Sequence, residues 1–390
     1  MKSIVLEAEW KPRNDYAVTP IEVQSRLAKK ASMVWRRPVF NRRDSPTPDL
    51  EPDEVLIKVG ACGVCGSDTH CFETDSDGYV IFSGPAKFPV IPGHEFSGEI
   101  VDMGASVRGF RKGELVVAEG MIYCGHCAAC RTGRPNQCRS LKMLGFSANG
   151  AYAEYVAIKA KLCWSIDGLA ETLGSKSHAL ELGALVEPVS CSFNGIFVAG
   201  RGMRPGDTVV VFGAGPIGLG AIALARASGA ASILAFDISD ARCALAIECG
   251  ADVAFNPIQL NANGQSISDV VLDFTKGWGA ELVIEAAGAA QQLMPEIEAI
   301  MSPGAQMIYL GRTGERVPVM LDVLVSGASS ITGARGHAGG GCFPHIIRLL
   351  ERKRIHISPM ITARLGFDSF HEALSQSCAR TDGKIMLKYT

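Results

Sequence analysis

The stretch DTVVVFGAGPIG at residues 207–218 decides the fold of this chain. Its first half, residues 207–212, has the β-branched and aromatic composition of a buried strand. Its second half has the pattern G-x-G-x-x-G and leads into the small apolar residues 217–228, which are typical of a helix. The stretch therefore predicts a strand, a glycine turn and a helix, which is the opening unit of a dinucleotide-binding sheet.

Each residue of the glycine turn has its own physical role. Gly213 permits a tight turn, Gly215 lets the backbone approach a pyrophosphate, and Gly218 permits close packing of the helix on the strand. Pro216 and Ile217 open the helix, whose free N–H groups and positive dipole end attract phosphate oxygens. We therefore predict that these five residues bind a dinucleotide. The alternative, a turn that binds nothing, is disfavoured by the strand before it and the helix after it.

Two further residues bear on which dinucleotide binds. Asp237 comes at the end of the next predicted strand, residues 232–236, where a carboxylate accepts hydrogen bonds from the ribose diol and repels a 2′-phosphate. Arg242 is placed to stack on adenine, although its positive charge would also weaken the discrimination against a 2′-phosphate. We expect NAD as the cofactor, with Asp237 and Arg242 completing its site.

Strand and helix patterns alternate through the second half of the chain. Predicted strands at residues 251–255, 282–285 and 306–310, and a helix at 241–249, continue the alternation begun at residue 207. This alternation predicts an α/β fold with a doubly wound parallel sheet. The first half is β-rich, with short strands expected at residues 54–59, 98–101 and 114–117.

Composition and charge exclude several classes of partner. The 390 residues carry 38 Lys+Arg against 40 Asp+Glu, so a nucleic acid or an anionic membrane surface is not the expected partner. The chain lacks a run of 18 apolar residues, and its first residues lack the apolar core of a signal peptide. We therefore expect a cytoplasmic protein. The 13 cysteines are odd in number, so a disulfide framework is not expected either.

Four cysteines cluster in one turn-rich segment. Cys124, Cys127, Cys130 and Cys138 have the spacing C-x2-C-x2-C-x7-C, which can wrap one tetrahedral zinc ion. Four thiolates close the coordination shell, so the predicted zinc is structural. Buried or redox-active cysteines are the alternative, and a nucleic-acid-binding zinc ribbon fits less well because its C-x-x-C pairs stand further apart.

A second metal site is suggested by residues that are dispersed along the sequence. Cys65 and His94, together with a later carboxylate, could form an open and therefore catalytic zinc site. Each residue also has an ordinary explanation, since a single cysteine is more often part of the core. Cys62 and Cys65 could even form a thioredoxin-like C-x-x-C motif, although their flanking residues do not suit it. Spacing alone leaves these alternatives open.

Taken together, four motifs resemble those of the zinc-containing medium-chain alcohol and polyol dehydrogenases: C-G-S-D at 65–68, G-H-E at 93–95, the four-cysteine segment and the glycine turn. The resemblance covers nearly all 390 residues. It implies a GroES-like, β-rich catalytic domain at residues 1–189 and 334–390, and a Rossmann NAD-binding domain at 190–333.

The resemblance also implies roles for individual residues. Cys65 and His94 match ligands of the catalytic zinc, and Glu95 matches a direct or exchangeable ligand. The third protein ligand is expected at Glu187, in a Leu-Val-Glu-Pro segment like that of the sorbitol and glucose dehydrogenase branch. The remaining matches are a carboxylate that orients the ligand histidine and the hydroxyl and imidazole of a proton relay: Asp68, Ser67 and His70. Two zinc ions per chain are thus expected.

Two segments are longer than is usual in the family, residues 11–38 and 72–88. With these two long segments, the chain is similar to dehydrogenases of inositol breakdown that act on scyllo-inosose-type cyclitols, and to cyclitol dehydrogenases of natural-product pathways. The second segment carries Glu73, Asp75, Asp77 and Tyr79. These acids are expected either to contact substrate or to form a solvated face.

The resulting expectation is an NAD-linked enzyme that oxidises a secondary hydroxyl of a polyol or cyclitol to a ketone, as a homodimer or homotetramer. Threonine or a simple alcohol is the alternative substrate. A non-catalytic binding protein of the same fold is the alternative of another class, because fold alone does not prove activity.

Overall fold

The structure, a computed structural model, describes residues 1–389. Its internal contacts divide the chain into two compact units. The first unit contains Met1–Glu187, Ala363–Arg380 and the residues from 385 onward, and the second contains Pro188–Thr362 and Thr381–Lys384. Residues 334–362, which the resemblance places with the first domain, thus lie in the second unit by these contacts.

The elements are numbered along the chain. The strands are β1 (Lys2–Trp10), β2 (Trp35–Asp44), β3 (Glu54–Gly63), β4 (Glu95–Met103), β5 (Leu115–Ala118), β6 (Met121–Ile122), β7 (Lys142–Met143), β8 (Tyr155–Lys159), β9 (Cys163–Ser165), β10 (Thr208–Phe212), β11 (Ser232–Phe236), β12 (Val253–Phe255), β13 (Ala280–Glu285), β14 (Met301–Tyr309), β15 (Ser330–Gly333), β16 (Ile361–Gly366) and β17 (Lys384–Lys388).

The α-helices are α1 (Pro20–Ser25), α2 (Gly66–Phe72), α3 (Ala128–Arg131), α4 (Asp167–Leu173), α5 (Lys176–Ala184), α6 (Val186–Phe193), α7 (Pro216–Ala227), α8 (Asp240–Glu248), α9 (Pro257–Ala262), α10 (Ile267–Phe274), α11 (Ala290–Ile300), α12 (Leu321–Gly327), α13 (Cys342–Glu351) and α14 (Phe370–Cys378). Short 3₁₀ turns cover Ala31–Met33, Pro135–Gln137, Ala160–Leu162, Ser358–Met360 and Phe367–Ser369, and a π-helical turn covers Asn194–Ala199.

A six-stranded parallel sheet forms the centre of the second unit. Its strand order is β12-β11-β10-β13-β14-β15, and each pair of neighbouring strands is parallel. The central strands are apolar on both faces because helices cover a parallel sheet, and the four residues from Val209 to Phe212 are all buried. The predicted doubly wound sheet is confirmed, and its predicted strands and helices agree with the observed ones to within a few residues.

An antiparallel seven-stranded sheet forms the centre of the first unit. Its order is β16-β17-β3-β4-β5-β9, and β8 also pairs with β3. The three strands predicted in the first half correspond to β3, β4 and β5, of which β3 and β4 extend well beyond the prediction. The extension of β4 begins at Glu95, and the other two candidate metal ligands, Cys65 and His94, lie just after β3 and just before β4.

The two long segments of the first unit pack against each other. Ala28 and Ala86 exchange two backbone hydrogen bonds of 3.0 Å, and the N–H of Ser32 donates to the carbonyl of Phe82 at 2.9 Å. The indole of Trp35, fully inside the core, donates to the carbonyl of Ala86 at 3.0 Å. Residues 11–38 therefore supply the backbone partners that fix the shape of residues 72–88.

The helical stretch that contains α5 and α6 is both long and apolar. Lys176–Ala199 is long and apolar enough to cross a membrane by those two measures, with a mean hydropathy of 1.4. However, 72% of this window is buried inside the structure, which is the burial expected of a core helix in a globular protein.

Candidate metal and dinucleotide sites

The candidate catalytic metal ligands meet where β3 ends and β4 begins. Cys65 caps the N-terminus of α2, just after β3, and His94 directly precedes Glu95, the first residue of β4. Because Gly63 of β3 pairs with Glu95, the two segments lie side by side. One ligand atom from each of Cys65, His94 and Glu95 lies within 4.8 Å of the others. His94 and Glu95 are buried, and Cys65 is half-buried.

A buried hydrogen-bond network around Asp68 packs against this set of ligands. Asp68 Oδ2 accepts hydrogen bonds from the backbone N–H of Cys65 at 3.0 Å and from the hydroxyl of Tyr152 at 2.7 Å. Burial, together with the charge of Asp68, raises the pKa of Tyr152 well above its ordinary value, so its hydroxyl stays a donor. Tyr152 also contacts Gly93, whose φ of 88° and lack of a Cβ are both required, since a Cβ would lie 2.7 Å from the tyrosine ring.

The charges in this set fit a bound cation. Burial lowers the pKa of the His94 imidazole, but the negative charges of Asp68 and Cys65 outweigh burial and raise that pKa well above its ordinary value. His94 Nδ1 and Asp68 Oδ1 lie 3.8 Å apart, and neither atom has a hydrogen-bond partner in the described chain. When Nε2 of a histidine binds a metal, Nδ1–H faces a carboxylate in this way. A thiolate, an imidazole and a carboxylate are ligands that suit Zn²⁺.

The other predicted residues of this site lie at different distances from the set. Ser67 Oγ is 3.1 Å from Cys65 Sγ and 3.5 Å from His94 Nε2, so it joins the set directly. His70 is half-buried one turn further along α2. Glu187 is buried in the first turn of α6 and close enough to raise the pKa of His94, but it is outside the group of atoms within 4.8 Å of one another.

An aromatic pair that sequence reasoning missed lies against the ligand imidazole. The ring of Phe146 is 5.1 Å from that of His94, and Phe82 stacks on Phe146 at 4.6 Å with an interplanar angle of 14°. The long segment 72–88 holds both rings, because the N–H of Phe82 donates to the carbonyl of His70 and the N–H of Lys87 donates to the carbonyl of Phe146. Neither phenylalanine belongs to a short motif, so only the fold identifies them.

The acids of segment 72–88 are paired within the chain. Arg13 forms ion pairs with Asp75 and with Asp77, the latter at 3.2 Å. Glu73 pairs with Arg380 at 2.9 Å. Of the two expectations for these acids, substrate contact or a solvated face, the structure favours a third role, in which they attach the long segments to each other and to the C-terminal residues.

The four-cysteine segment is already arranged as a metal site. The Sγ–Sγ distances are 3.5 Å for Cys124–Cys138, 3.6 Å for Cys127–Cys130, 3.9 Å for Cys127–Cys138 and 4.0 Å for Cys124–Cys130. A tetrahedron with Zn–S bonds of ~2.3 Å has edges of about 3.8 Å, so the four sulfurs fit one zinc ion. Backbone N–H groups of Cys130 and Arg139 lower the pKa of Cys127 to about 6, which favours the thiolate form that binds metal.

The glycine turn has the geometry that a phosphate site requires. Gly213 has a φ of 87°, and a Cβ there would lie 2.7 Å from the backbone nitrogen of Ala287. Gly215 caps the N-terminus of α7, and a Cβ built on it would have only Arg242 Nη1 near it, at 3.9 Å. A Cβ at Gly218 would lie 1.7 Å from the carbonyl oxygen of Gly213. Pro216 and Ile217 form the first turn of α7, as predicted.

Asp237 lies just after β11 and is buried against the glycine turn. Its Oδ2 accepts from the N–H of Ala214 at 2.7 Å, and its Oδ1 accepts from the N–H of Ser239 at 2.9 Å. Each carboxylate oxygen retains a second lone pair for a ligand hydroxyl. Arg242, on α8, donates to the carbonyl of Asp382 at 3.0 Å. Asp237 thus shapes the turn as well as standing at the position expected for a ribose contact.

The first unit is thus an antiparallel β-structure with two thiol-containing clusters, and the second is a parallel dinucleotide-type fold. These are the two domains of a zinc-containing dehydrogenase. Residues 51–168 match the model of the alcohol dehydrogenase GroES-like domain, and residues 216–352 match that of the zinc-binding dehydrogenase. The chain belongs to the zinc-containing medium-chain alcohol and polyol dehydrogenase family, and it is an oxidoreductase.

Two relatives of known activity cover most of the chain. A scyllo-inosose 3-dehydrogenase of Thermotoga maritima is 39% identical over 361 residues, which are 90% of this chain and 90% of the relative. An L-threonine 3-dehydrogenase of Pyrococcus horikoshii is 33% identical over 345 residues, which are 88% of this chain and 92% of the relative.

Solved structures have the same fold. A Thermotoga maritima protein described as an alcohol dehydrogenase has a TM-score of 0.94 at 36% identity and covers 99% of both chains. A Sinorhizobium meliloti protein described as a zinc-binding dehydrogenase, solved with NADP, has a TM-score of 0.76 at 27% identity and covers 92% of this chain and 97% of its own. An Escherichia coli dehydrogenase solved with NADH has a TM-score of 0.78 at 28% identity and covers 100% of this chain and 99% of its own.

Proposed function

We propose that this chain is a zinc-dependent, NAD-linked dehydrogenase that interconverts a secondary hydroxyl of a polyol or cyclitol and the corresponding ketone. The observation that carries the proposal is the buried set of Cys65, His94 and Glu95 with the hydroxyl of Ser67 beside it. A secondary alcohol holds its proton too tightly at neutral pH to release a hydride readily. When bound, zinc supplies the positive charge that lowers the pKa of the substrate hydroxyl, and the nicotinamide supplies the hydride acceptor.

The chain's own residues hold and orient the reacting groups. In this proposal Cys65 Sγ, His94 Nε2 and the Glu187 carboxylate bind the metal, and Glu95 is a direct or exchangeable ligand. Asp68, fixed by Tyr152 and the backbone of Cys65, keeps the imidazole turned toward the metal.

Ser67 is the first group of the proton pathway. Its hydroxyl lies at the ligand set, and in this proposal it accepts the substrate proton. Ser67 and His70 stand three residues apart on α2 and therefore on one face of the helix, so the imidazole of His70 is the next group on the route to solvent.

The substrate assignment rests on the similarity to named relatives. The scyllo-inosose 3-dehydrogenase is more similar to this chain than the L-threonine 3-dehydrogenases are, at 39% against 33% identity. Threonine is the second candidate substrate, because those relatives cover nearly as much of the chain. In both candidate substrates, the reacting group is a hydroxyl on a secondary carbon.

Initial rates of NAD reduction with a matched panel test the substrate class. The panel contains cyclitols, linear sugar alcohols, L-threonine and a simple secondary alcohol, each assayed with zinc-loaded protein and with protein stripped by a chelator. We expect the highest kcat/KM with a cyclitol and no turnover after zinc removal. A higher kcat/KM with threonine than with any cyclitol would make threonine the assigned substrate. Full activity without zinc would reject the zinc-dependent mechanism.

The cofactor preference is tested at Asp237. Asp237→Ala removes the carboxylate that meets the ribose diol and also frees the N–H groups of Ala214 and Ser239. We expect NAD affinity to fall by about 1–3 kcal/mol and the preference over NADP to narrow. The measurement is the Kd of NADH and NADPH for both proteins; a wild-type enzyme that already prefers NADPH would contradict the proposal.

The proposal includes two zinc ions per chain, a cytoplasmic location and a homodimer or homotetramer. All 13 cysteines lie in the described residues and none is in a disulfide, which agrees with a reducing compartment. Native mass spectrometry would report both the zinc count and the number of subunits.

A further inference from the structure

One carboxylate of the second unit is buried where an apolar residue would be expected. Glu285 is the last residue of β13, follows three fully buried apolar residues, and is itself 0% exposed. Burial raises the pKa of its carboxyl above the ordinary value even though several backbone N–H groups act in the opposite sense. Because burying a carboxylate is costly, its presence here calls for a structural or functional reason.

Glu285 connects the loops that follow two neighbouring strands. Its Oε1 accepts hydrogen bonds from the N–H groups of Ala287 and Ala289, both at 3.1 Å, in the loop after β13. Its backbone carbonyl accepts from the N–H groups of Leu310 at 2.8 Å and Gly311 at 2.9 Å, in the loop after β14. One residue therefore sets the path of residues 286–289 and 310–311.

The second carboxylate oxygen is packed between glycines of the two loops. Oε2 has no hydrogen-bond partner, although the backbone N–H groups of Gly288 and Gly311 lie close enough to lower the carboxyl pKa. A Cβ on Gly311 would lie 2.3 Å from Oε2 and 2.4 Å from the nitrogen of Gly288. Position 311 therefore excludes any side chain unless both the carboxylate and the backbone of Gly288 move.

These loops adjoin the glycine turn on the side opposite Asp237. In the strand order, β11 with Asp237 flanks β10 on one side and β13 flanks it on the other. The loop after β13 touches the turn, since a Cβ on Gly213 would lie 2.7 Å from the nitrogen of Ala287. A dinucleotide lies across the carboxyl ends of such strands with its adenosine ribose at the acid after the second strand. The nicotinamide half then falls on the side of β13 and β14.

We propose that Glu285 is a positioning residue that holds the loops at 286–289 and 310–311 in the shape that the nicotinamide ring of the cofactor requires. The adenosine half depends instead on Asp237 and the glycine turn. This inference rests on the proposed function, because it requires the dinucleotide to bind at residues 213–218. Glu285 itself stays behind the loops and does not touch the reacting atoms.

Glu285→Gln tests the proposal with almost no change in volume. The amide can offer one oxygen to Ala287 and Ala289, but its NH₂ group then faces further N–H donors. The Kd values of NADH and of ADP-ribose, which lacks only the nicotinamide, are measured by calorimetry on the zinc-loaded protein. We expect NADH to bind roughly tenfold more weakly and ADP-ribose to change by less than about twofold.

Two glycine variants in the same loop provide an independent test. Gly311→Ala places a Cβ against both the carboxylate and the backbone of Gly288, so it alters the shape of these loops directly and is expected to reproduce the selective loss of NADH affinity. Gly314→Ala is the matched control, because nothing lies within 4 Å of a Cβ built there. If Glu285→Gln does not fold, Glu285→Asp, whose carboxylate is drawn back from Ala287 and Ala289, takes its place, and its Kd values for NADH and ADP-ribose are compared in the same way.

The outcomes separate this inference from the proposed function. A wild-type protein that binds neither NADH nor ADP-ribose would reject the dinucleotide site itself. A wild-type protein that binds both, with Glu285→Gln and Gly311→Ala weakening the two ligands equally or not at all, would overturn the positioning role and leave the dinucleotide site intact. A selective loss of NADH affinity in both variants supports it.

Discussion

The two cysteine-containing clusters of the first unit are built in opposite ways. The four thiols between Cys124 and Cys138 come from one continuous, largely exposed segment, and their sulfur–sulfur distances match a closed tetrahedron. We call them the exposed cluster after that segment, although the cysteines themselves are half-buried or, for Cys138, buried. The set of Cys65, His94 and Glu95 joins the end of one strand to the start of another and is largely buried. The first cluster has four equal ligands, whereas the second has three different ones and a hydroxyl beside them.

This difference separates a structural role from a catalytic one. Four thiolates fill a zinc shell, so the exposed cluster can stabilise its loop but has no position for a substrate. Three mixed ligands leave a position open, and burial strengthens every charge interaction at that position. If this comparison holds, variants of the buried set change turnover most, and variants of the exposed cluster change stability most.

The largest effect is expected at the buried set. Cys65→Ala removes its thiolate, so we expect the zinc count to fall from two to one and kcat/KM to fall by about 10³-fold or more. NADH affinity should be retained, because the glycine turn belongs to the second unit. Metal analysis, steady-state kinetics and NADH titration on one preparation measure all three quantities.

Cys62→Ala is the matched control for that experiment. Cys62 is a fully buried thiol three positions earlier, and it is not among the grouped ligand atoms. It should keep both zinc ions and most of the activity, at some cost in stability from the lost packing. Loss of zinc in the Cys62 variant and not in the Cys65 variant would reverse the assignment.

A change of stability without a change of chemistry is expected at the exposed cluster. Cys138→Ser opens the shell of the structural zinc, and we expect the free energy of unfolding to fall on the order of 3 kcal/mol or more. Turnover per folded molecule should stay near that of the wild type. His126→Ala, in the same segment but outside the four-thiol group, is the control. A Cys138→Ser protein with normal stability and two zinc ions would refute the structural role.

The two clusters also show what the sequence can reveal. The exposed cluster is local, so the spacing of Cys124 to Cys138 was enough to predict it, and the observed sulfur distances agree with four ligands of one ion. The glycine turn is local too, and it lies between β10 and α7 as predicted. In the buried set, Cys65 is distant in sequence from the adjacent residues His94 and Glu95, and their proximity depends on the pairing of β3 with β4. The residue types alone left a shared metal site as one alternative among several, and the family resemblance favoured it.

Other features had no sequence signal at all. Phe82 and Phe146 acquire a role only because segment 72–88 folds back toward His94. The acids of that segment are expected from sequence either to contact substrate or to form a solvated face, but their partners are distant in sequence: Arg13 for Asp75 and Asp77, and Arg380 for Glu73. Glu285 ends a predicted apolar strand, and its role depends on hydrogen bonds to a turn that no sequence pattern specifies.

A smaller effect is expected in the pH dependence of the reactivity of Cys127, one thiol of the exposed cluster. In metal-free protein, the N–H groups of Cys130 and Arg139 lower the pKa of Cys127 to about 6, so its thiolate predominates above that pH and is lost below it. Alkylation of Cys127 by iodoacetamide should therefore show a midpoint near pH 6, measured by peptide mapping after chelation. Cys163, whose pKa is raised by burial, is the unreactive control. A midpoint near the ordinary thiol pKa would contradict this reading of the cluster.

The smallest expected effect concerns the stacked rings of Phe82 and Phe146, which we call the aromatic wall. It lies against His94 of the buried set. Phe82→Leu removes the ring that stacks on Phe146, and such a ring pair contributes ~1 kcal/mol beyond its buried area. Phe146 would then hold the His94 ring less firmly, because the two rings are in contact. We expect zinc to leave the buried set roughly fivefold faster, following that loss of ~1 kcal/mol, while the exposed cluster releases its zinc at the wild-type rate.

A colorimetric chelator can follow the two release phases in one experiment, provided that Cys138→Ser identifies the phase of the exposed cluster. Phe72→Leu is the matched control, since Phe72 begins the same segment, is 42% exposed and has its ring 5.9 Å from Phe40. It should alter neither phase. If Phe82→Leu and Phe72→Leu behave alike, the wall has no part in holding the imidazole, and the contrast between the clusters reduces to their ligands and their burial.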